Sequence, residues 1–377
     1  MTGDGTLTSE SLRSSHRRSG RVVVVLGFAM LLAIAISAGI GPAFIDPLSV
    51  LGIIGHHTIG LPAEPGWTTT ADTIVWVTRM PRVLMGVAAG ATLAVAGAAL
   101  QAMVRNVLAD PYILGVSSGA STGAAVAIIV LAGSGGGALL LSGSAFLGAL
   151  AATMLVLLIG GVSGGSGPVR LIMAGMAVGY VLSAVTSFLV FASDSPEASR
   201  SVMFWLLGSL ANSHWPTVHL ALAVAAFVVL ALTLIGGQLD ALASGDEASL
   251  ALGIRPDRAR MLLMVVISLA VGVIVAGAGS IGFVGLVVPH LARGLVGARH
   301  RTLLPACAFL GAIFLLAADV LARMAFMPQE MPIGVVTGVV GAPLLLVLLR
   351  RGRSQTSARS RVARGLAIPP KMTRNHR

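Results

Sequence analysis

Four hydroxyl-bearing side chains recur three and four residues apart within one long apolar segment of the chain. They are Tyr180, Ser183, Thr186 and Ser187. Residues at these spacings lie on one face of an α-helix. Because hydroxyl groups both donate and accept hydrogen bonds, this face could contact a polar solute. The alternative is that the hydroxyls bond to neighbouring helices or to the carbonyl groups of the preceding turn.

A second group of polar residues lies in the segment 240–260. Ser244 and Glu247 fit the capping box of a helix N-terminus, with Ser244 as the N-cap and Glu247 at N3. Gly253 fits the position just after that helix ends, and Pro256 fits the first turn of the next helix. The pattern predicts a compact helix–turn–helix element. Its role is either to dock a partner or simply to connect two longer helices.

The sequence lacks the motifs expected for nucleotide hydrolysis and for a metal site. Lys371 is the only lysine, so no G-x-x-x-x-G-K-[ST] phosphate-binding loop exists. Cys307 is the only cysteine, which excludes internal disulfides and thiolate metal sites. His-x-x-x-His and Cys-x-x-Cys patterns are also missing. We therefore expect no catalytic residue, no metal and no cofactor, and we expect that the chain is not an enzyme.

One acidic residue, Asp319, lies well inside an apolar segment, and Arg323 follows it by one helical turn. This spacing allows an ion pair. Secondary transporters generally carry buried titratable groups near the middle of the membrane. A single paired acid argues against a proton relay of that kind.

The composition indicates a protein that spans a membrane. Hydrophobic residues make up 56% of the 377 residues and charged residues 10%, whereas soluble domains carry about 25% charged residues. The mean hydropathy is +0.93. A spanning helix needs about 20 apolar residues, and continuous apolar runs favour helices over a barrel. We predict ten spans, at 22–44, 82–104, 113–133, 140–161, 168–191, 216–237, 261–279, 281–296, 303–325 and 332–350.

The basic residues predict the orientation of these spans. The net charge is +11, but the cationic side chains concentrate in the two tails and in short connecting segments, so we expect no nucleic acid partner. Ten spans put both termini on one side, and the positive-inside bias makes that side the cytoplasm. The first span is expected to be retained rather than cleaved as a signal peptide. Four arginines then lie on the outer face: Arg79, Arg82, Arg200 and Arg323.

Several polar motifs resemble those of a known family. The chain resembles the FecCD-type permeases of iron–siderophore and vitamin B12 importers from about residue 75 to 350. The matching stretches include RNVLADP, FWLLGSLANSHW, GDEASLALGI and VPHLAR. Val107 departs from the pattern, because the family usually has proline there. The resemblance implies an all-α, ten-helix permease of a type II ABC importer in a bacterial cell membrane. It further implies a second permease copy or paralogue, two ATPase subunits and a periplasmic or lipid-anchored substrate-binding protein.

The resemblance also implies roles for particular residues. Arg79, Arg82 and Arg323 are expected to receive acidic side chains of the substrate-binding protein; the alternatives are contact with lipid phosphates or pairing with Asp319. The hydroxyl face of the fifth span is expected to line the translocation path, where a polar chelate could slide. The ATPase is expected to dock on the segment matched by GDEASLALGI, with coupling through Ser244, Gly245, Asp246, Glu247, Leu252 and Gly253.

The expected organisation is a disordered basic cytoplasmic tail at 1–20, a permease domain at 21–350 and a second basic cytoplasmic tail at 351–377. The glycine-rich stretch 160–167 is expected to be a flexible turn. Iron–siderophore complexes are the expected cargo, with haem and cobalamin as alternatives. A stand-alone secondary transporter is the rival function, which the expected docking element and the lack of coupling acids disfavour.

Overall fold

The computed structural model describes residues 9–63, 66–131, 137–160 and 168–347, and all regular secondary structure within these ranges is helical. The predicted tail 351–377 and residues 161–167 of the predicted turn lie outside the described residues. A short 3₁₀ helix covers Pro111–Leu114. The other helices are α1 (Ser9–Gly39), α2 (Pro47–Ile59), α3 (Thr69–Val104), α4 (Val116–Val130), α5 (Gly137–Gly160), α6 (Pro168–Phe191), α7 (Pro196–Leu206), α8 (Trp215–Leu234), α9 (Gly236–Ser244), α10 (Asp246–Ala251), α11 (Pro256–Ala278), α12 (Val284–Val296), α13 (His300–Met324) and α14 (Ile333–Val347).

Within the described ranges, 7 helices are long and apolar enough to cross a membrane, namely α1, α3, α5, α6, α8, α11 and α13. The helices α4, α12 and α14 are apolar but shorter. Taken together, these helices match the predicted spans one for one and in order. The predicted all-helical, multi-span architecture is therefore confirmed.

Two boundaries differ from the prediction. Residues 9–20, which were expected to be part of a disordered tail, continue α1 as helix. The second span begins at Thr69 rather than 82, through a π-helical stretch at Thr73–Arg79. Pro81 follows this stretch after one residue. Proline disrupts regular α-helical hydrogen bonding, and a π-helical turn accommodates that change of register. Arg79 consequently lies inside a helix and not in front of one.

Helix α3 is the centre of the bundle, because 89% of its most apolar window is buried. Its neighbours approach it closely at glycines. A Cβ atom built on Gly90 would lie 2.2 Å from the Gly311 carbonyl oxygen of α13, and one built on Gly97 would lie 1.9 Å from that of Gly285 in α12. Small residues permit such backbone approach between membrane helices. Side chains larger than hydrogen at these two positions would force the helices apart.

Segments of non-helical backbone at the ends of several helices are joined to one another by hydrogen bonds. The Ser209 N–H donates to the Ala278 carbonyl at 2.9 Å, and the Ile333 N–H donates to the Gly208 carbonyl at 3.2 Å. Helix α12 has 13 residues, which rise about 20 Å, less than the ~30 Å hydrocarbon core. Helix α12 is therefore too short to cross such a core by itself.

Candidate functional site

Three groups of residues could carry function, and they lie at opposite ends and in the middle of the bundle. The α2 end carries α2, α7 and the segment before α14. The α10 end carries α9, α10 and the turn between α12 and α13. Contacts between distant segments define both ends: Arg82 bonds to Glu330 at the first, and Arg105 pairs with Asp246 at the second.

A buried ionic cluster lies at the α2 end, between α3 and α13. Arg82 donates from Nε to Asp319 Oδ1 at 2.8 Å and from a terminal nitrogen to Glu330 Oε2 at 2.7 Å. Arg323 Nε lies 3.0 Å from Asp319 Oδ2, an ion-pair distance without hydrogen-bond geometry. The i, i+4 pair between Asp319 and Arg323 is therefore confirmed. Its third member, Arg82, comes from a distant part of the chain, and its pairing with Asp319 is the alternative that the sequence left open.

Arg79 and Arg323 also hold the end of α1. One terminal nitrogen of Arg79 donates to the carbonyls of Ala38 and Gly39, at 3.1 and 2.8 Å. Arg323 donates to the Ile40 carbonyl at 2.7 Å. The last carbonyls of a helix have no partner within the helix, so these guanidinium groups supply donors to carbonyls that the helix itself leaves unpaired.

The prediction that Arg79, Arg82 and Arg323 are exposed cations is wrong. These residues expose only 5%, 8% and 3% of their surface. The physical reason is that each guanidinium has found carboxylate or carbonyl partners within the chain. The structure does bring the three arginines together, as a shared receiving surface would require. Glu330, with 42% of its side chain exposed, is the accessible member of this cluster.

At the α10 end, the predicted capping box is absent. Ser244 is the last residue of α9, and its hydroxyl donates back to the Asp240 carbonyl at 2.9 Å. Gly245 is the N-cap of α10, with a φ of 121° and no side-chain cap. An N-cap serine would need an extended backbone, but Ser244 remains helical because glycine can take up the whole turn.

The C-terminal half of the same prediction is confirmed. Gly253 has a φ of 75°, and its N–H donates to the Leu250 carbonyl at 2.9 Å, while the Ile254 N–H donates to the Ser249 carbonyl at 2.9 Å. These two bonds form a Schellman motif. Pro256 is the first residue of α11. Helices α9 to α11 thus form the expected compact element.

Ion pairs fasten α10 to its neighbours. Both terminal nitrogens of Arg260 donate to the Asp246 carboxylate, and Arg105 lies 3.5 Å from the same carboxylate. The hydrogen bond from Arg260 lowers the pKa of Asp246 below its usual value, against the opposing effect of burial. A depressed carboxyl pKa stabilises the fold above the unfolded pKa of about 4, and that contribution disappears only as the pH falls through the folded value. The attachment of α10 is therefore present throughout the neutral range.

Asp240 was not predicted to have a role, although it holds α9 to the start of α13. It accepts the backbone N–H of His300 at 3.0 Å and lies 2.6 Å from His300 Nδ1. What α10 presents on its open side is Glu247, which is exposed, together with Leu250 and Leu252, which expose 59% and 69% of their surface.

The hydroxyl-bearing residues of α6 do not all lie on its exposed side. Tyr180 is 73% exposed, whereas Thr186 is 5% exposed and lies 2.9 Å from the hydroxyl of Thr122 in α4. Thr186 follows Tyr180 by six residues, which places it about 120° away around the helix. Ser183 and Ser187 are exposed, and the Ser187 hydroxyl bonds back to the Ser183 carbonyl at 3.0 Å. The prediction of one open hydroxyl face therefore holds for Tyr180, Ser183 and Ser187, and is wrong for Thr186.

Comparison with known proteins assigns the chain to a family. Residues 29–351 match the FecCD transport family, and the chain belongs to that family. It is 37% identical to the Fe(3+)-citrate import system permease protein YfmD of Bacillus subtilis, over 92% of this chain and 98% of the relative. It is 42% identical to the cobalamin import system permease protein BtuC of Halobacterium salinarum, over 77% and 76%.

A further relative and a solved structure agree with this family assignment. The hemin transport system permease protein HmuU of Yersinia pestis is 36% identical, over 90% of this chain and 99% of the relative. A solved inward-facing conformation of a metal-chelate type ABC transporter superposes with a TM-score of 0.77 and 31% identity, over 88% of this chain and 99% of that one. The chain is thus a membrane-embedded, multi-span ABC importer permease.

Proposed function

We propose that this permease carries iron–siderophore complexes into the cytoplasm by alternating access, driven by a separate ATPase. The support for iron chelates is the alignment with the Fe(3+)-citrate permease over nearly the whole of both chains. Haem and cobalamin are the alternative cargoes, since relatives that import them are equally similar. In this proposal both termini and the α10 end face the cytoplasm, and the α2 end faces outward.

The observation that carries the coupling proposal is the form of α10. It is fastened to the bundle by Asp246, while Glu247, Leu250 and Leu252 remain open. A short helix whose start is held by ion pairs and whose end exposes apolar side chains can transmit the motion of a partner that binds to it. We assign this tip to the ATPase. The permease itself should neither bind nor hydrolyse ATP, because its sequence has no phosphate-binding loop.

The test is uptake by liposomes that contain the permease with its ATPase and its substrate-binding protein. Each candidate cargo, a ferric siderophore, haem or cobalamin, is supplied outside in turn. We expect ATP-dependent uptake of the ferric siderophore and no ATPase activity from the permease alone. Uptake that continues without ATP would instead support a stand-alone transporter. Uptake of haem or cobalamin only would refute the siderophore assignment.

Docking of the substrate-binding protein on Arg79, Arg82 and Arg323 stays a prediction. Because these side chains are buried, direct contact requires the cluster to open, for example by release of Glu330 from Arg82. We expect Arg82→Gln to weaken docking and the weakening to resemble that caused by high salt, which screens exposed charges. The measurement is the dissociation constant of the loaded binding protein, with thermal stability as the control for folding. Unchanged affinity in a folded variant would limit these arginines to a structural role.

A further inference from the structure

An outer-facing cavity of about 630 Å³ lies at the α2 end, where α7, the end of α11 and the segment before α14 meet. Its floor includes Gly208 and Gly279, the non-helical backbone that hydrogen bonds tie together at this level. Irregular backbone at membrane depth is tolerated where it lines a water-filled cavity. The volume falls within the range of about 300–1,000 Å³ typical of small-molecule sites.

Arg200 lines this cavity and differs from the other three arginines at the α2 end. Its residue is exposed, and among the described residues its guanidinium has no carboxylate or carbonyl partner. The nearby carboxylate of Glu330 is already engaged by Arg82 at 2.7 Å. Cations on the outer side run against the positive-inside bias. Contacts within the chain account for Arg79, Arg82 and Arg323, whereas no contact among the described residues accounts for Arg200.

Apart from Glu330, which pairs with Arg82, the side chains that line the cavity with Arg200 are uncharged. Ser201 and Asn212 line the same cavity, and their side chains have no protein partner among the described residues. Phe204 and Trp205 supply apolar walls. A few unpaired polar groups on an otherwise apolar wall are typical of a ligand site. A guanidinium binds carboxylates in a bidentate, charge-assisted manner.

We infer that this cavity is a recognition site for an anionic, carboxylate-bearing metal chelate, with Arg200 as its cationic anchor and Asn212 and Ser201 as hydrogen-bonding partners. The inference rests on the proposed function and narrows it, because a neutral chelate would gain nothing from Arg200. An acidic segment of the binding protein could also reach Arg200. The position of Arg200 in the wall of a cavity of about 630 Å³ favours a small ligand.

The experiment measures binding to the purified full-length permease in lipid nanodiscs, without ATPase or binding protein. Ferric citrate is the anionic probe and a neutral ferric hydroxamate is its counterpart. Quenching of Trp205 fluorescence reports binding of the chelate in the cavity. The variant Trp205→Phe shows how much of the total tryptophan signal comes from Trp205. We expect Arg200→Gln to weaken ferric citrate binding about tenfold or more, the scale of one charge-assisted hydrogen bond. Binding of the hydroxamate should be unchanged.

Glu197→Gln is the matched control, because Glu197 lies on the same helix but does not line the cavity; it should leave both affinities unchanged. Equal affinities of wild type and Arg200→Gln for ferric citrate, equal losses for both chelates, or no quenching in the wild type would each overturn the inference. So would a loss confined to docking of the binding protein. Failure of the proposed function would differ, since it would show as no ATP-driven uptake while ferric citrate binding persists.

Discussion

Asp319 is fully buried at 0% exposure, and two arginines share its carboxylate. A buried charge is tolerated because its partners remain in place; removal of one partner leaves the others uncompensated. Glu330 belongs to the same cluster but is partly open to solvent, where an ion pair contributes little. The two acids thus share an arginine and differ in burial.

This difference gives a prediction for single residues. We expect Asp319→Asn to lower the free energy of unfolding by about 3–5 kcal/mol, because two buried guanidinium groups lose their counter-charge. We expect Glu330→Gln to cost about 0–1 kcal/mol. The measurement is unfolding of the detergent-solubilised permease by heat or denaturant. Similar losses in the two variants would contradict the assignment of Asp319 as the centre of the cluster.

Helix α10 is fixed to the bundle at its start and leaves apolar side chains exposed at its end. Asp246 at its start is paired with Arg260 and Arg105, and Gly253 closes its end in a left-handed turn. The residues between them leave Leu250 and Leu252 exposed. A variant of Asp246 would therefore disturb the attachment of the element as well as any docking, whereas variants of the tip would not.

We accordingly expect the double variant Leu250→Ser/Leu252→Ser to bind the ATPase at least about tenfold more weakly, since burial of one leucine contributes about 1.5–3 kcal/mol. Membrane insertion and thermal stability should be unchanged. Leu262→Ser, an equally exposed leucine on α11, is the control. The measurement is the affinity of the purified ATPase for the permease in nanodiscs. Normal affinity and normal ATP-driven uptake in the double variant would remove α10 from the coupling path.

The bundle as a whole has one deeply buried helix and others at its rim. The most apolar window of α3 is 89% buried, whereas those of α6 and α1 are 22% and 11% buried. The open side of α6 carries Tyr180, exposed at 73%, and Phe188, exposed at 65%. A rim helix of a membrane protein faces either lipid or another subunit. The polar groups of Tyr180 and Ser183 favour a subunit boundary that encloses a water-filled path.

Cross-linking tests this assignment. Cys307 is the only cysteine and is buried, so Cys307→Ala provides a background without cysteine. In this background we expect Tyr180→Cys to form covalent permease dimers with a bifunctional thiol reagent that can cross the path, because a central α6 would face its counterpart in a second copy. Phe28→Cys, on the exposed side of α1, should remain monomeric. Cross-linking through position 28 but not 180 would place the dimer boundary at α1. The absence of both would favour a partner other than a second copy.

The sequence by itself determined the class of protein. Span number and order, and the absence of a phosphate-binding loop, depend on composition and local pattern. The pair of Asp319 and Arg323 and the turn at Gly253 were likewise predictable, because their partners lie within a few residues. The Ser195-Pro196-Glu197 pattern that begins α7 was a comparable local signal that the prediction did not use.

Only the tertiary structure decided which polar residues remain available. Arg82 meets Asp319 and Glu330, and Arg79 meets the end of α1, through contacts between segments far apart in the chain. Sequence periodicity could not show that Thr186 is covered by Thr122. Nor could it show that Arg200 lines a cavity and has no partner among the residues that the structure describes. A polar side chain in a membrane bundle is stabilised by whichever donor or acceptor lies within about 3 Å, and packing of distant helices determines which group that is.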